Sequence, residues 1–257
     1  MKTPNIPDTP ENAITLESLK RRKRLPPRIC IYGDGGLGKT TFAAQAENPI
    51  FILTEDGLGE IDVSAFPLCT SFKQFAEQID WLLNNEHKFK TLVIDSLDWL
   101  ESLIWQRVCD KADLTDITEF GYGEGYVKAL RLWSDLFKQL NLIREKLNMT
   151  IILICHAQTV KVEDPLQATY DKHDLKLHKK AAAKVEEFCD FILFTTWQVT
   201  VTQKKEGFAE RSRAVSTGER ICHTQGSPSY TAKNRSKNLP PQIPLDYQEF
   251  SNAITKG

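Results

Sequence analysis

No apolar run in this sequence approaches the roughly 18 residues that a membrane span needs; the longest, such as Ile151–Cys155, are a handful of residues. An apolar N-terminal stretch of the secretory kind is also missing. The expectation is a cytoplasmic protein with no membrane partner. No two of the cysteines at 30, 69, 109, 155, 189 and 222 form a CxxC pair, which excludes zinc knuckles and dithiol redox motifs. Cys30, Cys155 and Cys189 fall inside apolar runs and read as buried, reduced thiols. Charge of one sign is not in excess: 33 Lys and Arg stand against 34 Asp and Glu. There is no internal repeat and no low-complexity segment. With 257 residues, 41% of them apolar and 26% charged, what remains is a globular chain of one large domain or two small ones.

The balanced charge conceals local patches. Residues 1–28 carry seven positive and three negative side chains, and residues 203–237 carry eight positive and three negative. A polyanionic partner held by patches is therefore compatible with the composition. Residues 1–27, with three prolines before the basic run 20–24 (KRRKR), read as a flexible basic arm. That run either is solvated or contacts phosphates.

From Arg28 the pattern becomes regular. Runs at 28–32 (RICIY), 50–54 (IFILT), 91–95 (TLVID), 150–155 (TIILIC) and 190–195 (DFILFT) are short, branched or aromatic, and do not alternate strictly. Strands buried on both faces of a parallel sheet read this way. Helical stripes lie between them at 72–83, 97–108 and 127–147. Short strands with polar turns are expected at 197–202, 212–216 and 220–224. Alternating strands and helices imply an α/β sheet with right-handed crossovers.

Gly33-Asp34-Gly35-Gly36-Leu37-Gly38-Lys39-Thr40 matches GxxxxGK[ST], after a strand and before the helical residues Thr41 to Ala44. Glycines let backbone N–H groups turn inward around phosphate oxygens, and a helix N-terminus adds positive partial charge. Residues 33–41 are thus the expected ATP cradle, with Lys39 reaching the β- and γ-phosphates and Thr40 a ligand of Mg2+. Asp95 ends the run TLVID and is expected to hold the same Mg2+, mostly through water. Ser96 follows it, so a tandem carboxylate is missing. The candidate base for orienting water is Glu55, with Asp56 behind it; a solvated loop carboxylate is the alternative. His156 ends TIILIC and would sense the γ-phosphate if its strand lies between those ending in Gly33 and Asp95. Otherwise it is a core-edge histidine.

Together these features resemble the RecA-like branch of P-loop ATPases. More specifically they resemble phage-encoded AAA-type ATP-binding proteins of the Sak single-strand-annealing group. The segments that carry the likeness are GDGGLGKTTFA (33–43), GYGEGYVKAL (121–130), ILICHAQTVKVEDP (152–165) with YDKHDLKLHKKAA (170–182), and YTAKNR (230–235). The resemblance implies a RecA-like P-loop NTPase core over 28–257. Its mainly parallel central sheet would be flanked by helices and followed by a C-terminal β-hairpin extension. It also implies two single-stranded DNA loops. One lies near 113–126 with Tyr122 and Tyr126; the other lies near 157–180 with Lys161, Lys172, Lys176, Lys179 and Lys180. Finally it implies that Lys233 and Arg235 reach the nucleotide of a neighbouring subunit in a homo-oligomer; direct DNA contact is the alternative for this pair. A single-strand-binding protein is a further candidate partner. If the gene is a phage gene, the compartment is the bacterial host's cytoplasm.

ATP-dependent DNA recombination is the leading expectation. A nucleotide-gated DNA-binding module with negligible turnover and a replication helicase loader are the alternatives. A loader needs sensor arginines in a helical lid, whereas the C-terminal pattern here reads as β.

Overall fold

The computed structural model describes residues 24–255 except 166–167 and 207–208, and gives the backbone alone for 200–217. The basic arm expected at 1–27 therefore lies outside the described residues up to position 23.

In chain order the elements are β1 (Arg28–Gly33), α1 (Lys39–Ala44), β2 (Pro49–Leu53), β3 (Ser64–Ala65), α2 (Phe72–Asn84), β4 (Thr91–Asp95) and α3 (Leu97–Asp110). Then follow α4 (Glu124–Lys146), β5 (Thr150–Val162), β6 (Tyr170–Leu175), α5 (Lys179–Phe188), β7 (Phe191–Glu206), β8 (Ala209–His223), β9 (Lys233–Asn234), β10 (Gln242–Pro244) and α6 (Tyr247–Thr255). The sheet order is β10-β8-β7-β1-β5-β4-β2-β3. Strands β7, β1, β5, β4, β2 and β3 run parallel, and β8 and β10 extend the sheet antiparallel. This is the expected α/β core with a mainly parallel sheet and a C-terminal hairpin.

Why the strands lack alternation is visible in the packing. Cys30, Tyr32, Ile52, Ile94 and Leu153 face one core, against Ile79 of α2, Leu100 of α3, Trp133 of α4 and Val185 of α5. Ile29, Ile31, Phe51, Val93 and Ile152 face the other, against Phe42 of α1 and Phe250 of α6. Both faces of each strand are covered, so polar residues have no position to fill until the strand ends. The chemistry is thereby confined to the carboxyl ends of the strands, where the chain leaves the core.

Three expectations change. The runs at 190–195 and 197–202 are one strand, β7, and those at 212–216 and 220–224 are one strand, β8. Strand β5 does not stop at Cys155 but continues to Val162 and pairs antiparallel with β6. Most of the second expected loop is thus a β-hairpin. The first expected loop holds two 3-10 turns, Ile117–Glu119 and Gly121–Gly123, the former closed by a capping box between Asp116 and Glu119. Helix α6, unseen in the pattern, covers the face of α1 through Tyr247 and Phe250.

Candidate nucleotide site at the carboxyl edge of the sheet

The phosphate loop starts where β1 ends. Gly33 admits no side chain, because a Cβ there would lie 2.4 Å from the Thr195 carbonyl oxygen of β7. Gly36 (φ 74°) and Gly38 (φ 91°) take left-handed conformations that L side chains rarely adopt. Asp34, Gly35 and Gly36 are exposed, Leu37 is buried beneath them, and Thr41 faces solvent. The Lys39 ammonium group donates to the carbonyls of Gly33 (3.1 Å) and Asp34 (2.8 Å). Lys39 is only 6% exposed, and burial lowers its pKa while the Asp95 carboxylate pulls it back up. Among the described residues this desolvated ammonium is hydrogen-bonded to neutral carbonyls, an arrangement that suits phosphate oxygens.

Thr40 donates its hydroxyl to Asp95 Oδ2 at 2.8 Å. This hydroxyl–carboxylate pair of hard oxygens suits Mg2+, which keeps most of its waters. The peptide between Asp95 and Ser96 is cis. Asp95 is 3% exposed, and burial pushes its pKa up to about 6, with the Thr40 hydrogen bond opposing and Glu55 adding to the rise. Folding therefore favours the protonated carboxyl. That contribution is fully present below the ordinary value of 3.8 and is lost as pH rises through about 6. Asp95→Asn keeps an acceptor for Thr40 and removes the buried charge. Its expected effect on the nucleotide-free protein at pH 8 is a gain of about 1–3 kcal/mol, several degrees in Tm. The gain should shrink toward pH 4, as melting curves at the two pH values will show, while Mg2+-dependent turnover is lost.

Strand order settles the position of His156. Strand β5 lies between β1 and β4, and His156 is paired in register with Gly33. Its Nδ1 lies 3.0 Å from Asp98 Oδ2, and its backbone N–H donates to Asp98 Oδ1 at 3.2 Å. The hydrogen bond to Asp98 raises the His156 pKa against the cost of burial. Burial pushes the Asp98 carboxyl up, but the contacts from His156 outweigh it and hold the carboxyl below the usual range. The pair's stabilisation therefore spans the window between the depressed Asp98 value and the raised His156 value.

Glu55 follows β2, on the far side of β4. Thr54 fastens the two strand ends together: its hydroxyl donates to the Ser96 carbonyl at 2.6 Å, and its N–H donates to the Asp95 carbonyl at 2.8 Å. Glu55 is half-buried, and its charge acts on Lys39, Asp95 and His156 alike. Lys39, Thr40, Glu55, Asp95 and His156 are thus gathered at one edge.

The expected DNA residues divide. Lys161, Lys172 and Lys179 line one groove of about 520 Å3. Lys176 lines an adjoining cleft, and its Nζ lies 3.7 Å from the Asp98 carboxylate that holds His156. Lys180 is exposed in the first turn of α5. Tyr126 is half-buried, stacked on His178 with ring centroids 4.4 Å apart. Tyr122 is fully exposed at φ 53° in the second 3-10 turn.

Lys233 and Arg235 stand at the opposite edge of the sheet. Lys233 is paired with Ile192 near the start of β7 and donates to the Glu186 carbonyl. Arg235 lies 3.0 Å from Asp190, which also holds Arg28 (2.9 Å) and Arg144 (3.4 Å).

Two site residues escaped the sequence reading. Asp98, three positions after Asp95, was hidden inside a helical stripe. Arg220 belongs to β8, far along the chain, yet its Nη1 donates to the Leu37 carbonyl of the phosphate loop at 3.2 Å. A Cβ on Gly38 would lie 2.5 Å from that nitrogen. Its only trace in the sequence was the basic balance of 203–237.

Among known proteins, a family model described as an AAA domain matches residues 25–236. The SPbeta prophage-derived uncharacterized protein YorG of Bacillus subtilis (strain 168) is 24% identical over 223 residues, 82% of this chain. The chain spans only 65% of that protein's length. The crystal structure of the RadB recombinase superposes with a TM-score of 0.45 at 15% identity, covering 77% of this chain and 80% of that one. No helix among the described residues is long and apolar enough to cross a membrane. With the match running from just before β1 through β9, the chain belongs to the AAA domain family.

Proposed function

We propose that the protein is an ATP-dependent single-stranded DNA binding and recombination protein of the phage Sak type. It acts in annealing or strand pairing and hydrolyses ATP to ADP and phosphate as an oligomer. One observation carries this reading. Asp98 holds His156 on the nucleotide side and Lys176 on the groove side, so one buried carboxylate joins the phosphate edge to a lysine-lined surface.

The roles follow from placement. Lys39 and the amides of residues 33–41 bind the phosphates, and Thr40 with Asp95 would hold Mg2+. The metal, when bound, neutralises charge on the phosphate oxygens. Glu55 orients the attacking water. With Nδ1 turned to Asp98, Nε2 of His156 is the nitrogen left for a γ-phosphate oxygen. Tyr122, Tyr126, Lys161, Lys172, Lys176, Lys179 and Lys180 serve the DNA, the lysines by neutralising phosphates. Lys233 and Arg235 lie opposite the phosphate loop of their own subunit, so the nucleotide they serve belongs to a neighbour.

Arg235→Ala is accordingly expected to lower hydrolysis by roughly 10³-fold or more while leaving nucleotide binding by the isolated subunit intact. Asp190 keeps Arg28 and Arg144, so the loss of this half-exposed pair should cost no more than about 1 kcal/mol of stability. Hydrolysis rates beside equilibrium binding of a fluorescent ATP analogue test this. If only DNA binding weakens, the residue belongs to the DNA surface instead. The function as a whole is tested by fluorescence anisotropy of a labelled oligo-dT strand, with and without a non-hydrolysable ATP analogue. Binding that tightens with the analogue is expected; binding indifferent to it, or absent, contradicts the proposal.

A further inference from the structure

The cleft that contains Lys176 is unusual for its aromatic walls. It measures about 480 Å3, and Trp99, Trp105 and His178 line it with Lys176, Gln158 and Glu101. Trp99 is 52% exposed, on a helix whose neighbouring residues Asp98, Leu100 and Glu101 are buried. An indole left in water beside the carboxylate that holds His156 is not explained by packing of α3. Trp105 is half-buried, edge-on to Tyr126 at 5.5 Å, and Tyr126 in turn stacks on His178. The ring wall is therefore held rigid from α3, α4 and the start of α5.

Charge in the cleft is nearly balanced, and the adjoining groove sets Lys161, Lys172 and Lys179 against Glu163 and Asp174, so the positive excess lies in the groove. Asp98 is offset by His156 and Lys176. Burial raises the Glu101 pKa to about 7, so its charge is only partly expressed at neutral pH. Burial also lowers the His178 pKa, so that ring is neutral there. Lys176 is 58% exposed at the side chain and lies at the rim. Gln158 and Leu177 line both this cleft and the groove of Lys161, Lys172 and Lys179, so the two lie side by side. The Gln158 amide, donating to the carbonyls of Leu175 (2.7 Å) and Leu177 (3.0 Å), fixes the partition between them.

We infer that this cleft is a base-stacking site for single-stranded nucleic acid, with Trp99 the exposed platform and the adjoining lysine groove the path of the backbone. The inference rests on the single-strand reading above and gives it a defined contact. A π-face accepts any base, so the site confers affinity without sequence preference, while the lysines confer the salt dependence. Because Asp98 precedes Trp99 directly, a base seated on the indole is one residue from the carboxylate that holds His156.

The test compares wild type, Trp99→Ala and Trp99→Phe for binding of oligo-dT and of an abasic strand of equal length. Trp99→Ala should weaken oligo-dT binding roughly tenfold, with the slope of log affinity against log salt unchanged. The abasic strand should bind wild type and Trp99→Ala alike, and Trp99→Phe should recover most of the lost affinity. The platform is exposed, so matching melting curves will establish that the variants fold. If wild type binds oligo-dT and Trp99→Ala binds it equally well, the stacking site is refuted and the function stands. If Trp99→Ala instead alters the oligomeric state at unchanged DNA affinity, the face joins copies of this chain and the inference is likewise refuted. If wild type binds no single strand, the proposed function falls and this site falls with it.

Discussion

Lys39→Ala should reduce ATP turnover by about 10²–10³-fold or more, the loss expected when a preorganised charge is removed from the transferring phosphoryl group. The argument is one of replacement. In the native loop the ammonium is desolvated and, among the described residues, hydrogen-bonds to the carbonyls of Gly33 and Asp34. Its burial is unfavourable for the charged form and the Asp95 carboxylate offsets that only in part, so a cost remains that a phosphate would recover. Removing the ammonium relieves that cost while deleting the group proposed to meet the phosphates. The variant should therefore melt no earlier than wild type without nucleotide, and should lose the shift in Tm that ATP gives wild type. Steady-state hydrolysis and thermal melts with and without ATP check both halves. Unchanged kinetics would remove the phosphate-loop assignment.

Glu55→Gln should separate binding from chemistry. The amide fills the same space at the end of β2, braced by the same Thr54 contacts to Ser96 and Asp95. It can no longer accept a proton from water, and general-base removal of this kind lowers rates by about 10²–10⁴-fold. Nucleotide binding should be retained or tightened, because one negative charge beside Asp95 is gone. The expected result is a protein that stays on DNA once loaded with ATP. Single-turnover hydrolysis beside a nucleotide titration distinguishes the outcomes. A normal rate in Glu55→Gln would show that Glu55 is not the base and would move the role to Asp56.

Legibility from sequence followed burial. Strands β1, β2, β4 and β5 were readable because both faces are covered, which forces uninterrupted apolar runs ending in the residues that matter: Gly33, Thr54, Asp95 and His156. The loop was readable because its glycines and Lys39-Thr40 form a local motif whose positive φ at Gly36 and Gly38 demands glycine. Long-range meetings were not readable. Arg220 reaches Leu37 across 183 positions, and no local pattern records that contact. Asp98 looked like an ordinary acidic residue in the first turn of α3, since its partners His156 and Lys176 arrive from β5 and from the chain leaving β6. The second expected loop read as irregular because β5 leaves the core after Cys155. From there its pairing with β6 rests on backbone bonds, and the side chains are free to be polar. Trp99 falls off the apolar stripe of its helix, which runs through Leu97, Leu100, Ile104 and Val108, but no local pattern shows the cleft it borders.

The measurement that bears most directly on the central claim is steady-state ATP hydrolysis by the purified protein with and without single-stranded DNA, Lys39→Ala serving as the blank. The account predicts Mg2+-dependent turnover that rises several-fold on adding the strand, because under the proposed roles Asp98, which ties His156 to Lys176, joins the nucleotide to the DNA. Turnover that ignores DNA at every strand length would contradict it, leaving an ATPase whose partner is something else.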